Sequence, residues 1–274
     1  MAYRNFLLAY SGNAEFDSAL GHAIKLVHHH DGWLTAMVQS GSPLFDRYSI
    51  SLPDKLREQL RDAETQNVKN LADHFHATVK AAGIDERAEF VLPDDIGNAS
   101  PSEVARHYDM VITGFQSHRA SEEHRSASPD LIALTSGRPV LVIPRGYDAE
   151  GLADHALVAW DGKRSAARAL GDAMSILETK AKVTVLTVSR DHPDPKTMDY
   201  LIRNLERHGI VSEHIHKTGK GKKIAIEIED TADAIGAKLI VMGAYEHSKF
   251  SQDIFGGVTH EVLRSARVPV FMSH

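Results

Sequence analysis

Two adjacent glycines near the end of the chain are placed as in a loop that binds phosphate. Gly256 and Gly257 stand directly before Val258 and Thr259, where a short helix is predicted to begin. Because glycine has no side chain, its backbone amide can approach a bound group closely, and the first turn of a helix has unpaired N–H groups that attract anions. We therefore predict that these four residues contact an anion. A tight loop that only enters the helix is the alternative.

Five further candidates lie at the carboxyl ends of three apolar, strand-like runs in the second half of the chain. They are Asp161, Gly162, Val188, Met242 and Gly243. In an open parallel sheet, ligands bind beyond the carboxyl ends of the strands, at the point where the strand order reverses. These residues are therefore predicted to line one ligand site together with the glycine loop. For Asp161 the alternative is a simple turn, since Asp-Gly is a common turn pair.

Strands and helices alternate along this half. Strand-like runs at residues 156–160, 183–188, 211–216, 238–242 and 268–272 are separated by helical patterns at residues 165–177, 198–208, 224–235 and 259–265. Single helices between strands imply parallel neighbours and right-handed crossovers. The predicted fold class is α/β, with flavodoxin-like or Rossmann-like domains. Each would have an open, five-stranded, mostly parallel sheet with helices on both faces.

The first half of the chain restates the second in a cruder form. Ser11 and Gly12 correspond to Asp161 and Gly162, but the stretch after Gly114 lacks the later glycines. The chain is therefore predicted to contain two copies of one unit, of which only the second keeps the ligand loop.

The copies are predicted to form two domains, at residues 1–147 with a degenerate ligand loop and at residues 153–274 with a retained nucleotide-type loop. Their last strands, at residues 140–143 and 268–272, are apolar, and each would expose an unpaired edge in a separate domain. We therefore expect these strands to pair, which gives a pseudo-dimer within one chain. A homodimer of whole chains is a further option.

Composition excludes several classes of protein. The 274-residue chain is 42% hydrophobic and 25% charged, carries a net charge of −6 and contains no cysteine. These values argue against disorder, disulfides, cysteine-bound zinc and non-specific binding of nucleic acid. The apolar runs are far shorter than the roughly 20 residues that span a bilayer, and no secretion signal is recognised. No membrane partner and a cytoplasmic location are therefore predicted.

No catalytic residue and no metal ligand are assigned from the sequence. The chain lacks Gly-x-Ser-x-Gly, a cysteine nucleophile and His-Glu-x-x-His, so we expect no efficient enzyme, with a weak ATPase as the alternative. Among the 17 histidines, His214 and His216 would share one face of a strand. No third histidine lies near them in the sequence, so no metal site is predicted.

The segments, taken in order, resemble the universal stress protein (UspA) superfamily in its tandem, two-domain form. Nucleotide-binding members have Gly-x2-Gly-x9-Gly-[Ser/Thr] after the fourth strand and an aspartate after the first. Here Gly243, Gly256 and Asp161 match that pattern, whereas Glu246 stands at the middle glycine and Gly257 at the serine or threonine. The resemblance extends over both halves, and it includes the Arg-x-Pro-Val ending of the last strand.

The resemblance implies a domain of the adenine nucleotide alpha hydrolase-like type and a role as a stress-response regulator or sensor with a protein partner. The ligand would be ATP or another adenine nucleotide, with or without magnesium, and without efficient turnover. Asp161 and Val188 would hold the adenine, while Gly243, Gly256, Gly257 and Thr259 would face the ribose and phosphates.

Glu246 bears on this expectation because it would bring a carboxylate near the phosphates. At about 5 Å and an effective dielectric constant near 20, the repulsion costs about 3 kcal/mol unless magnesium bridges the two groups. Two other expectations therefore remain open. The protein could be a stress interaction scaffold that binds no nucleotide, or a slow ATPase.

Overall fold

The structure is a computed structural model that describes most of the chain. The described residues are 3–10, 13–38, 53–92, 95, 99–115, 129–148, 150–219, 221–244 and 257–274. Ser11, Gly12, Glu246 and Gly256, which the sequence analysis singled out, lie outside these ranges.

Ten strands and eight α-helices alternate within the described residues. The strands are β1 (Asn5–Ala9), β2 (Trp33–Met37), β3 (Ala88–Val91), β4 (Met110–Gly114), β5 (Val140–Ile143), β6 (His155–Ala159), β7 (Lys182–Val188), β8 (Ser212–Lys217), β9 (Leu239–Gly243) and β10 (Val270–Ser273). The helices are α1 (Asn13–His30), α2 (Asp54–Ala81), α3 (Pro101–Ala105), α4 (Pro129–Ser136), α5 (Arg164–Leu177), α6 (Pro195–Arg207), α7 (Ile224–Ile235) and α8 (Val258–Ser265). The elements predicted for the second half are all present, within three residues at each end.

All ten strands belong to one sheet, in the order β3-β2-β1-β4-β5-β10-β9-β6-β7-β8. Within each half every strand pair is parallel, as predicted. Each half has the order 3-2-1-4-5, which is the Rossmann order and not the flavodoxin order 2-1-3-4-5. The two five-stranded sheets predicted for the halves are joined through β5 and β10 into one ten-stranded sheet.

The pairing of β5 with β10 joins the two halves. It is antiparallel, with Leu141 opposite Phe271, and every residue of both strands is buried. The predicted pairing of the last strands is therefore confirmed, although β10 begins at Val270, two residues later than expected. An apolar strand of this kind is stable only when a neighbour satisfies its backbone and helices cover both its faces.

The helices cover both faces of the sheet. Side chains of α1, α2, α5 and α6 pack on one face, and those of α3, α4, α7 and α8 pack on the other. Leu141 and Phe271 belong to the first apolar layer, and Val142 and Met272 to the second. Both layers thus extend across the boundary between the halves, which share their core. Among the described helices, none has the length and apolar character needed to cross a membrane.

A cavity of about 30 Å³, enough for one or two waters, lies where the halves meet. His22 and His30 of α1 line it from the first half, and Lys180 and Lys238 line it from the second. His22 is 7% exposed, and its Nδ1 has no hydrogen-bond partner among the described residues. Burial, together with the charges of Lys25 and Lys180, lowers the pKa of His22 to about 4. The junction therefore holds a histidine that is neutral at neutral pH.

Acidification is expected to destabilise the protein through His22. Its pKa of about 4 in the folded state lies below the ordinary value of 6.5, so the unfolded state binds more protons. Stability is then complete above pH 6.5 and falls as the pH decreases towards 4. From this residue alone, the free energy of unfolding should be about 2 kcal/mol lower at pH 5 than at pH 7.

Urea unfolding of the His22→Leu variant at the two pH values measures this contribution. In this variant the difference between the free energies of unfolding at pH 7 and pH 5 should be about 2 kcal/mol smaller than in the unmodified protein. This holds whatever the stability of the variant at pH 7. His107→Gln, which changes an exposed histidine, should keep the full dependence. Equal pH dependence in His22→Leu and the unmodified protein would contradict the prediction.

Candidate functional site at the carboxyl ends of the second-half strands

The strand order of the second half reverses between β6 and β9. The chain continues from β6 to β7 and β8 on one side, then returns to β9 and β10 on the other. The carboxyl ends of β6 and β9 are neighbours, with Ala159 opposite Met242. A crevice at such a reversal is where open α/β sheets bind ligands. Asp161 and Gly243 follow or end these two strands, so the fold brings them to the same crevice.

Asp161 forms a turn and also presents a carboxylate. Its Oδ1 accepts a hydrogen bond from the Lys163 N–H at 3.0 Å, and Gly162 between them has a φ of +78°. That backbone conformation is readily adopted only by glycine among the common residues. Asp161 is exposed, and no hydrogen bond of its second oxygen to a described residue is found. The turn interpretation is thus correct for the backbone, and the side chain is still accessible to a ligand.

Gly243 is a glycine because helix α5 packs directly on it. A Cβ at this position would lie 2.6 Å from the backbone nitrogen of Ala166 and 2.6 Å from the carbonyl carbon of Ser165. The close approach that the sequence predicted for a ligand is made here by the first turn of the helix. Contact between Gly243 and a ligand therefore stays a prediction, while its role in packing is evident from the distances.

This packing places the start of α5 in the crevice, which the sequence analysis missed. Lys163 precedes the helix and gives it no side-chain cap. The first helical hydrogen bond is donated by Ala167 to the Lys163 carbonyl, so the N–H groups of Arg164, Ser165 and Ala166 have no partner within the helix. Such groups carry a partial positive charge and favour anions. The signal was present in the sequence, as a helix that follows the first strand of this half after a connection of four residues.

Arg164 and His274 form a second feature that the sequence did not indicate. The Arg164 Nη2 lies 3.5 Å from His274 Nε2, and His274 Nδ1 lies 2.8 Å from the carbonyl oxygen of Ala244. Ala244 directly follows β9, and its N–H donates to the Ser273 carbonyl at 2.8 Å. A cationic side chain therefore stands beside the carboxyl ends of β9 and β10. No local sequence pattern links residues 110 positions apart, and only the sheet brings them together.

The segment between β8 and α7 contacts Val188, the candidate at the end of β7. A Cβ at Gly219 would lie 3.3 Å from Val188 Cγ1, and Ser189 donates its N–H to the Lys217 carbonyl at 3.0 Å. Val188 is half-buried. Its exposed part therefore forms an apolar wall at this end of the sheet.

The start of α8 contacts the segment between β8 and α7. Gly257 precedes the helix in an extended conformation and provides no side-chain cap, while Thr259 is only 6% exposed. Lys223, which precedes α7, forms an ion pair of 2.5 Å with Glu261 in the first turn of α8. Lys222 is paired with Asp230 at 2.8 Å. These two lysines are thus neutralised by the protein itself.

Comparison with known proteins identifies the second half. The family model described as "Universal stress protein family" matches residues 153–274. Residues 153–274 therefore form a universal stress protein domain. The match covers the crevice, α5, β9 and α8, so the site described above is that of a universal stress protein domain.

Relatives of similar length extend the likeness to the whole chain. The universal stress protein Slr1230 of Synechocystis sp. (strain ATCC 27184 / PCC 6803 / Kazusa) is 24% identical over 270 residues, which are 92% of this chain and 90% of that protein. The crystal structure of a universal stress protein from Archaeoglobus fulgidus DSM 4304 covers 98% of this chain and 96% of its own, with a TM-score of 0.78 and 17% identity. A functionally unknown protein from Pseudomonas aeruginosa PAO1 covers 99% and 92%, with a TM-score of 0.56 and 15% identity. The fold of nearly the whole chain is therefore shared with these two solved structures.

The packing of α5 on β9 predicts that this universal stress protein domain cannot accept a side chain at position 243. Gly243→Ala should lower the free energy of unfolding by about 1–3 kcal/mol, because the methyl group must displace helix backbone. Thermal or urea unfolding measures the change. Gly171→Ala is the matched control, since Gly171 lies in α5 with open space where a Cβ would stand, and it should be neutral or slightly stabilising. Equal stability of the two variants would contradict the packing argument.

Proposed function

We propose that this universal stress protein is a cytoplasmic stress-response regulator or sensor that binds an adenine nucleotide in its second domain. The nucleotide would occupy the crevice between the carboxyl ends of β6 and β9, and binding, without efficient turnover, would change how the protein contacts a partner. No residue of the crevice is assigned as a general base, so catalysis is not part of the proposal.

The observation that carries the proposal is the exposed carboxylate of Asp161 at the strand-order reversal. A carboxylate there can accept hydrogen bonds from the amino group of adenine or from ribose hydroxyls, which are the donors that a nucleoside offers. The half-buried Val188 at the end of the neighbouring strand offers an apolar surface for the base. Both residues are those that the family resemblance assigns to the adenine.

Positive charges on the other side of the crevice support binding of the phosphate groups of a nucleotide there. The uncapped start of α5 and the guanidinium of Arg164 lie next to the end of β9. Gly257 precedes α8 and offers no side-chain cap to that helix start. Helix N-termini of this kind are common binding sites for phosphate. Magnesium would be needed if Glu246 lies near the phosphates, since it would offset the repulsion between like charges.

A scaffold that binds no nucleotide is the second candidate, and the packing at Gly243 favours it. The space that the glycine leaves is filled by α5, and Lys222 and Lys223 are already paired with carboxylates. In that case the crevice would be a structural remnant, and stress-linked interaction with a partner would use another surface.

Mass spectrometry of small molecules released from the freshly purified protein separates the two candidates. Calorimetric titration with ATP, ADP and AMP, with and without magnesium, should accompany it. We expect an adenine nucleotide to be released, and we expect saturable binding of at least one of the three. Release of none and binding of none would contradict the proposal and leave the scaffold function.

Asp161→Asn tests the site itself. Loss of a charged hydrogen-bond acceptor should cost about 2 kcal/mol of binding free energy, or roughly thirtyfold in affinity. Asp199→Asn makes the same change at an exposed position on α6 and should leave binding unchanged. If both variants bind as the unmodified protein does, the nucleotide is held elsewhere.

A further inference from the structure

The cavity between the two halves, called the junction cavity below, is lined by basic and apolar side chains. The basic residues come from both halves and are His22, His29, His30, Lys180 and Lys238. Among the described residues, no carboxylate lines the junction cavity. Five basic groups without an acidic one among them make the place attractive to an anion.

The basic side chains of the junction cavity also lack hydrogen-bond acceptors. None of the five forms a side-chain hydrogen bond or an ion pair with any described residue. Elsewhere the protein pairs such groups, as Lys182 with Glu213 at 2.9 Å. Burial lowers the pKa of Lys180, and the charge of Asp154, which is exposed, offsets this only in part. The half-buried ammonium of Lys180 and the buried ring of His22 therefore have polar atoms that the described residues leave unsatisfied.

The charges that act on two of the imidazoles are all positive. Burial is the main cause that lowers the pKa of both His22 and His30 to about 4, and Lys180 contributes in each case. The other groups that lower these two pKa values are basic as well, namely Lys25, His29 and Arg4. Both rings thus lie in a positive electrostatic potential.

Two carboxylates of this region are engaged away from the junction cavity. Asp148 forms an ion pair with Lys25 at 3.2 Å, and Asp31 forms one with Arg4 at 3.1 Å. Neither of these carboxylates lines the cavity. The described part of the chain therefore does not neutralise the potential inside it.

We propose that the junction cavity binds one small monovalent anion of the size of chloride. Its volume of about 30 Å³ admits one or two waters, so phosphate and nucleotides are too large for it. An anion among apolar side chains needs a nearby opposite charge, which the ammonium groups of Lys180 and Lys238 supply. The imidazoles of His22 and His30 offer N–H groups as further donors.

The bound anion would connect the two halves. His22 and His30 belong to α1 in the first half, whereas Lys180 follows α5 and Lys238 precedes β9 in the second. Lys238 is exposed, which opens a path from solution. The junction cavity lies at the amino end of β9 and the proposed nucleotide crevice at its carboxyl end, so the two sites are independent.

Thermal unfolding in sodium chloride and in sodium gluconate of equal concentration tests the proposal, because gluconate is too large to enter. At about 0.3 M salt, chloride should raise the Tm of the full chain by at least about 2 °C relative to gluconate. Lys180→Met and Lys238→Met should each lose most of this difference. Lys196→Met, which removes an exposed lysine on α6, is the matched control and should keep it. The same difference in all four proteins would reveal a general salt effect and overturn the proposal.

The pH dependence of the chloride effect tests the two histidines. An anion beside His22 and His30 raises their pKa, so binding takes up protons and becomes stronger on acidification. The rise in Tm caused by chloride should therefore be larger at pH 5 than at pH 7. An equal rise at both pH values would contradict a site that includes these rings.

Diffraction from crystals in sodium bromide locates the ion directly. The anomalous signal of bromide should appear in the junction cavity, between Lys180 and Lys238, at the salt concentration that shifts the Tm. A cavity that is empty or holds only water under those conditions would overturn the proposal, even if chloride stabilises the protein. A variant that does not fold leaves this measurement on the unmodified chain unaffected.

Discussion

The structure depends on the antiparallel pairing of β5 with β10. Each strand ends one repeat, and each is entirely buried, so neither half could leave it as a free edge without exposing backbone and side chains together. The pairing joins two five-stranded sheets into one of ten and lets both helix layers continue from one half to the other. Tyr3 adds a contact across the halves by donating its hydroxyl to the Asp172 carbonyl on α5.

This pairing also decides where ligand sites can be. All strands within a half are parallel, and the two halves meet antiparallel. The strands of the first half and those of the second therefore point in opposite directions, and their carboxyl ends lie on opposite sides of the shared sheet, at opposite ends of its strands. The strand-order reversal of the first half, between β1 and β4, is therefore remote from that between β6 and β9. Each repeat has to build its own crevice, so one copy can keep a site while the other loses it. At the amino end of β9, the same junction buries His22 as a neutral imidazole beside Lys180.

Much of the fold could be predicted from local patterns, whereas the reasons for individual site residues could not. Period and composition placed the helices and strands of the second half, because apolar spacing reports which face of an element is buried. Gly243 shows the limit of such reasoning. Its sequence context indicated a ligand, but the atoms that leave no room for a side chain at position 243 belong to Ser165 and Ala166. Spacing along the chain shows that something comes close to a glycine, and it cannot show what.

The sequence by itself determined the repeat, the α/β class, the placement of Asp161 at a strand end and the apolar last strands that had to pair. These follow from hydrophobic periodicity and from the need to cover an apolar edge, which are properties of neighbouring residues. Only the tertiary structure decided that Arg164 lies beside His274 and that His192 lies on His216. Those contacts join distant segments, and their positions are set by sheet order and strand register, because backbone hydrogen bonds between strands fix which side chains become neighbours.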